Sequence, residues 1–93
     1  MKYSLIIPTY EEKKNICILI SMIDGYLTEK NINYEIIIVD DNSPDGTSDE
    51  VLKIAEYLGN DKVKLLKRKG KLGLGTAYID GFSLTSGDYI FLM

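Results

Sequence analysis

No stretch of the 93-residue chain approaches the ~20 apolar residues that cross a bilayer. The first apolar run, Tyr3 to Ile7, is cut short by Pro8 and the acidic pair Glu11-Glu12 and is expected to be too short for a signal peptide. These residues are therefore expected to face the cytosol. A single cysteine, Cys17, rules out an intrachain disulfide, and its neighbours Ile16 and Ile18 fit packing in a reducing compartment. An excess of positive charge is missing too: the net charge is -3, which argues against a general nucleic-acid partner. Six cations do crowd into ten residues, Lys62, Lys64, Lys67, Arg68, Lys69 and Lys71. Their simplest reading is a solvated strand end and turn.

What is present is a repeated alternation of strand and helix patterns. Tyr3 to Ile7 reads as a strand closed by Pro8. Ile16, Leu19, Ile20, Ile23 and Leu27 recur at helical spacing and predict a helix over about 13–28. Tyr34 to Val39 is a continuous apolar run of the kind buried on both faces of a sheet. Asn42-Ser43-Pro44-Asp45-Gly46 is a turn by composition, and Thr47-x-x-Glu50 has the form of a capping box opening a second helix. In that helix Val51, Ile54, Ala55 and Leu58 point inward, and Gly59 ends it. Val63 to Leu66 gives a third strand. A third helix over about 76–86 places Ala77, Tyr78, Gly81 and Phe82 on or near one face and is ended by Gly87; Tyr89 to Met93 begins a fourth strand. The order βαβαβαβ predicts an α/β fold, an open parallel sheet with right-handed crossovers and helices on both faces.

In such sheets ligands bind outside the carboxyl ends of the strands. The loop after the first strand, Pro8 to Glu12, contains no glycine, which counts against both a dinucleotide fingerprint and a P-loop. Gly70-Lys-Leu-Gly-Leu-Gly75 matches neither spacing and reads as a tight strand-to-helix turn. The carboxylates carry more. Asp40 and Asp41 end the second strand and Glu12 ends the neighbouring loop, so three negative charges are expected at one rim. Such a group serves as acceptors for a ribose or base, or binds a hard cation; taken singly, the same residues make Asx turns and caps. Tyr10 beside them suits a flat nucleobase.

Three stretches, Tyr3 to Glu12, Glu35 to Thr47 and Lys71 to Gly81, resemble the opening of an inverting family 2 glycosyltransferase of the Rossmann-like GT-A fold. Ser43-Pro-Asp-Gly-Thr47 and Lys71-Leu-Gly-Leu-Gly-Thr-Ala-Tyr78 resemble its dolichyl-phosphate mannosyltransferase branch most. The resemblance implies that Pro8, Tyr10 and Glu12 line the nucleotide pocket and that Val39 and Asp41 complete it, with Asp41 accepting from the base or ribose of GDP. It implies a turn-shaping role for Asp40 and leaves the contact of Lys71 with the diphosphate open. It further implies transfer of mannose from GDP-mannose to dolichyl phosphate, for protein glycosylation and GPI-anchor synthesis, at the cytosolic face of the endoplasmic reticulum membrane. Mg²⁺ or Mn²⁺ would assist, with membrane association through later residues or accessory subunits.

One departure is Glu11, where the family usually has Asn, read here as an added charge beside Glu12. A second is that Met93 stands immediately before the position of the family's metal-binding Asp-x-Asp. The fourth strand has no turn or cap after it. Residues 1–93 are thus expected to be the nucleotide-binding N-terminal part of a longer domain, without catalytic or metal-binding residues of their own and inactive alone. Two alternatives are a polyprenyl-phosphate glucosyltransferase using UDP-glucose and, from another class, a receiver-type phosphoacceptor module. The receiver module needs acids after the first strand and an Asp after the third, where this chain has Pro-Thr-Tyr and Lys-Arg-Lys. A further alternative is a nucleotide-binding fragment without catalysis.

Overall fold

The computed structural model describes residues 1–70 and 73–93. Strand β1 (Lys2–Thr9) leads through helix α1 (Ile16–Glu29) to β2 (Asn33–Asp40), and α2 (Thr47–Leu58) leads on to β3 (Val63–Lys67). Helix α3 (Leu74–Phe82) then crosses to β4 (Tyr89–Leu92). The strands lie in the order β3-β2-β1-β4, every neighbouring pair parallel. The chain thus winds one way from β1 to β3 and then returns to the other side of β1. That reversal creates a switch point at the carboxyl end of β1.

Alternation along the strands sorts the core into two layers. Leu5, Ile7, Ile36 and Ile38 face α1 and α2, where they meet Ile16, Ile20, Val51 and Ala55. Ile6, Ile37 and Val39 face the opposite way, against Ala77 of α3. Small residues set the distance on that side. A Cβ at Gly81 would lie 2.7 Å from Ile6 Cγ2 and 3.0 Å from Val39 Cγ2, so only glycine lets α3 sit this close. Gly59, at φ 122°, ends α2 as its pattern predicts.

Several boundaries differ from those the pattern predicts. β1 runs past Pro8 to Thr9, because Thr9 still pairs in register with Asp40. α1 begins at Ile16: the carbonyl of Glu12 accepts from the N–H groups of both Asn15 and Ile16, which makes residues 13–15 a turn. The capping box does not form. Gly46, at φ 90°, is the N-cap of α2, and the carboxylate of Asp45 takes the N–H and hydroxyl of Thr47. α3 starts at Leu74 and stops at Phe82, whose ring is exposed, and residues 83–85 continue as turns. Gly87 therefore caps no helix. Its N–H donates to Ser4 Oγ at 2.9 Å, and a Cβ there would meet the backbone of β1 at 2.9 Å.

That contact belongs to a buried polar cluster the sequence did not disclose. Glu35 has no exposed surface, yet it carries a carboxylate into the α3 face of the sheet. Ser4 Oγ donates to it at 2.6 Å, Lys64 Nζ at 2.8 Å and Ser86 Oγ at 3.1 Å, and the Ser86 N–H donates as well. Burial alone would raise its pKa. The bonds from Lys64, Ser4 and Ser86 outweigh burial and pull it down to about 2. Lys64, its side chain 31% exposed, is thus a counter-ion to a buried carboxylate rather than one of a wholly solvated cluster, and Glu35 ties the approach to β4 onto β1 and β3.

Because the folded pKa is depressed, this carboxylate stabilises the protein fully above the unfolded value of about 4.3. The stabilisation is lost as pH falls from there toward about 2. Glu35→Gln is expected to lower stability at neutral pH by about 2 kcal/mol and to flatten the loss between pH 4 and 2, as read by chemical denaturation across pH.

Candidate nucleotide-binding site

Two loops at the carboxyl ends of β1 and β2 are joined by four hydrogen bonds. The N–H of Asp41 donates to the Thr9 carbonyl at 3.1 Å. The N–H groups of three successive residues then donate across the gap: Glu11 to Ser43 Oγ at 2.8 Å, Glu12 to Thr47 Oγ1 at 3.0 Å and Lys13 to Asp45 Oδ2 at 3.2 Å. Ser43, Asp45 and Thr47 therefore act as the second loop's acceptors for the first loop's backbone.

Asp40 anchors this arrangement from below. It is fully buried on the α2 side of the sheet, and four donors converge on it: Thr9 Oγ1 at 2.8 Å, Ser43 Oγ at 2.6 Å, the Ser43 N–H at 3.0 Å and Ser48 Oγ at 2.9 Å. Burial raises its pKa, but the bonds from Ser43, Thr9 and Ser48 together hold it below the ordinary aspartate value. The expected cluster of three rim carboxylates is corrected to two. Asp40 is consumed in shaping the turn. Among the described residues no group of three acidic, histidine or cysteine side chains is placed to hold a metal ion.

Above the zipped loops lies a cavity of about 370 Å³ lined by Pro8, Thr9, Tyr10, Glu12, Asp41, Gly73, Leu74 and Ala77. An adjacent cavity of about 290 Å³ shares Pro8, Thr9 and Glu12 and runs toward Leu19 and Met93. Four of the five residues expected at a nucleotide, Pro8, Tyr10, Glu12 and Asp41, thus line one space. Val39 does not line it. Its side chain has no exposed surface and packs in the α3 layer beside Ala77, one layer beneath the cavity. Lys71 lies outside the described residues.

Arg68 was missed. Read from sequence as part of a solvated cluster, its side chain is in fact 4% exposed. Its Nε and NH2 donate to Asp41 Oδ1 and Oδ2 at 2.6 and 2.9 Å, a bidentate pair. NH1 donates to Thr76 Oγ1 at 3.0 Å and Asp80 Oδ2 at 3.2 Å, and NH2 to the Gly73 carbonyl at 3.3 Å. The only signal available was residue type, since among six cations the single guanidinium is the one able to fork between two carboxylates. Lys67 and Lys69 remain exposed, as read.

The model for "Glycosyl transferase family 2" matches residues 4–93. The chain belongs to this glycosyltransferase family. It is similar over its whole length to a dolichol-phosphate mannosyltransferase of Pyrococcus furiosus, at 44% identity over 93 residues, and to one of Saccharomyces cerevisiae, at 37% over 94. A dolichyl-phosphate beta-glucosyltransferase of Mus musculus is 31% identical over 94 residues, covering 96% of the chain and 29% of that protein. The chain spans 25% of the Pyrococcus protein and 34% of the yeast one. Among solved structures, the mannosyltransferase PcManGT of Pyrobaculum calidifontis in complex with GDP-Man and Mn²⁺ superimposes with a TM-score of 0.80 at 26% identity, over 95% of this chain and 25% of that one. The parallel sheet with flanking helices is thus the glycosyltransferase fold expected from the sequence.

The backbone gives Glu11 a different meaning from the one read in the sequence. Glu11 has φ 55°, in the left-handed region, where Asn is tolerated far better than Glu. Glu in place of the Asn that the resemblance led one to expect is therefore a backbone matter before it is an electrostatic one. Glu11→Asn is expected to stabilise the protein by about 0.5–1 kcal/mol, seen as a higher midpoint of thermal unfolding. Asp40→Asn should do the opposite. It sets an amide donor against four donors, and a loss of about 2–4 kcal/mol is expected in denaturant unfolding.

Proposed function

We propose that this chain supplies the GDP-binding part of an enzyme that transfers mannose from GDP-mannose to dolichyl phosphate. The observation that carries the reading is the cavity at the switch point, where Pro8, Tyr10, Glu12 and Asp41 come together. The two mannosyltransferase relatives support the choice of sugar and lipid, and the GDP-Man complex of PcManGT supports the choice of nucleotide.

The roles follow from the chemistry of each group. Tyr10 offers an aromatic face to the base, and Pro8 with Leu74 and Ala77 gives apolar walls that keep water from its edges. Glu12 and Asp41 are acceptors for ribose hydroxyls or base N–H groups. A divalent ion, such as the Mn²⁺ held with GDP-Man in PcManGT, would offset charge on the diphosphate. The described residues do not form a site for it. The lipid substrate calls for contact with a membrane, although among the described residues no helix is long and apolar enough to cross one.

The test is competition between GDP and UDP for the nucleotide site, followed by calorimetry. GDP is expected to bind at least about tenfold tighter, a difference of about 1.4 kcal/mol. A preference for UDP would move the reading to the glucosyltransferase branch, to which the mouse relative belongs by name.

A further inference from the structure

We propose that Arg68 is a positioning residue for nucleotide recognition: it fixes the Asp41 carboxylate in the cavity wall and joins it to the start of α3. The proposal rests on the reading of the cavity as a nucleoside diphosphate site. A guanidinium has five N–H groups. All five have acceptors within the protein: Nε on Asp41, NH2 on Asp41 and the Gly73 carbonyl, NH1 on Thr76 and Asp80. None is left over for a ligand, so Arg68 acts through Asp41 rather than by touching the nucleotide. Its own backbone is held as well, the N–H donating to the Asp40 carbonyl at 2.7 Å.

The pairing answers two needs at once. Asp41 lies in a cavity meant for an anion, and an unpaired carboxylate there would repel a diphosphate. Arg68 neutralises that charge at contact distance. Each Asp41 oxygen spends one acceptor site on Arg68 and keeps another for a donor of the base or ribose. Two parallel bonds also fix the plane of the carboxylate, which a lysine ammonium cannot do. Because Arg68 also grips Thr76, Asp80 and the Gly73 carbonyl, the Asp41 wall and the Gly73–Leu74 wall of the cavity move together.

The test is a double-mutant cycle read by calorimetric GDP binding, with thermal unfolding followed alongside. Arg68→Lys is expected to weaken GDP binding about tenfold when Asp41 is present and less than about twofold in an Asp41→Asn background. Should Arg68→Lys fail to fold, Asp80→Asn serves instead, since it removes one half-exposed anchor and leaves the Arg68–Asp41 pair; a loss of about two- to threefold, again dependent on Asp41, is expected. The same loss with and without Asp41 would overturn the role of Arg68 and leave the nucleotide site standing. Failure of the unaltered protein to bind any nucleoside diphosphate would overturn both.

Discussion

A carboxylate sealed from water at the end of β2 constrains the functional rim of this protein. Left without partners, Asp40 would cost several kcal/mol, whereas each hydrogen bond to an ionised group returns about 1.5–3 kcal/mol. Its donors come from three places: Thr9 at the end of β1, Ser43 in the second loop and Ser48 in the first turn of α2. Satisfying one side chain therefore fixes where β1 stops, how the second loop folds and where α2 begins. The second loop then offers Ser43, Asp45 and Thr47 to the backbone of the first. Tyr10, Glu12 and Asp41 reach one cavity because the loops that carry them are held together by these bonds.

β2 carries a second buried carboxylate at its other end, and the pleat sends the two to opposite faces. Asp40 lies on the layer of α1 and α2, Glu35 on the layer of α3. The donors differ in kind. Asp40 is met by hydroxyls and one backbone N–H, while Glu35 has Lys64 at 2.8 Å as a counter-ion. With Arg68 on Asp41, two of the six clustered cations are spent on acids of β2 or the residue after it. The net charge of -3 thus conceals paired charges in the interior. The exposed cations of that stretch are the ones free to act on an anion at long range.

Much of the fold was legible because it rests on periodicity. The apolar run Ile36 to Val39 reads as a strand covered on both sides and is one, and the stripes of α1 and α2 pack against the core as their spacing predicts. Boundaries were less legible where a side chain from elsewhere takes over a local role. Thr47 has the form of a cap, but its hydroxyl serves Glu12 and Asp45. Lys13 to Asn15 continue a helical pattern, but the Lys13 N–H donates to Asp45 in the second loop and the Asn15 N–H turns back to the Glu12 carbonyl. Gly87 looks like a helix end and is a close-packing glycine against β1. Of the candidate site, the loops and the lining residues Tyr10, Glu12 and Asp41 were readable from the rim position of their motifs, and Pro8 only from the family resemblance. Arg68 was not, because a cation in a run of cations carries no mark of being buried.

The path of the first loop also determines what the site cannot do. The N–H groups of Glu11, Glu12 and Lys13 all point across to the second loop, with Glu11 in the left-handed conformation at the start of the series. Successive N–H groups turned to one side commonly form a nest for a phosphate. Here the nest is filled by Ser43, Thr47 and Asp45 from the same protein. With these N–H groups occupied they are not available to cradle a phosphate, and residues 8–12 contain no glycine. On the proposed reading the loop would contribute through side chains, Tyr10 and Glu12 toward base and ribose, and a diphosphate would be met by other groups. That division separates this rim from the glycine-rich phosphate loops which follow the first strand in other parallel α/β folds.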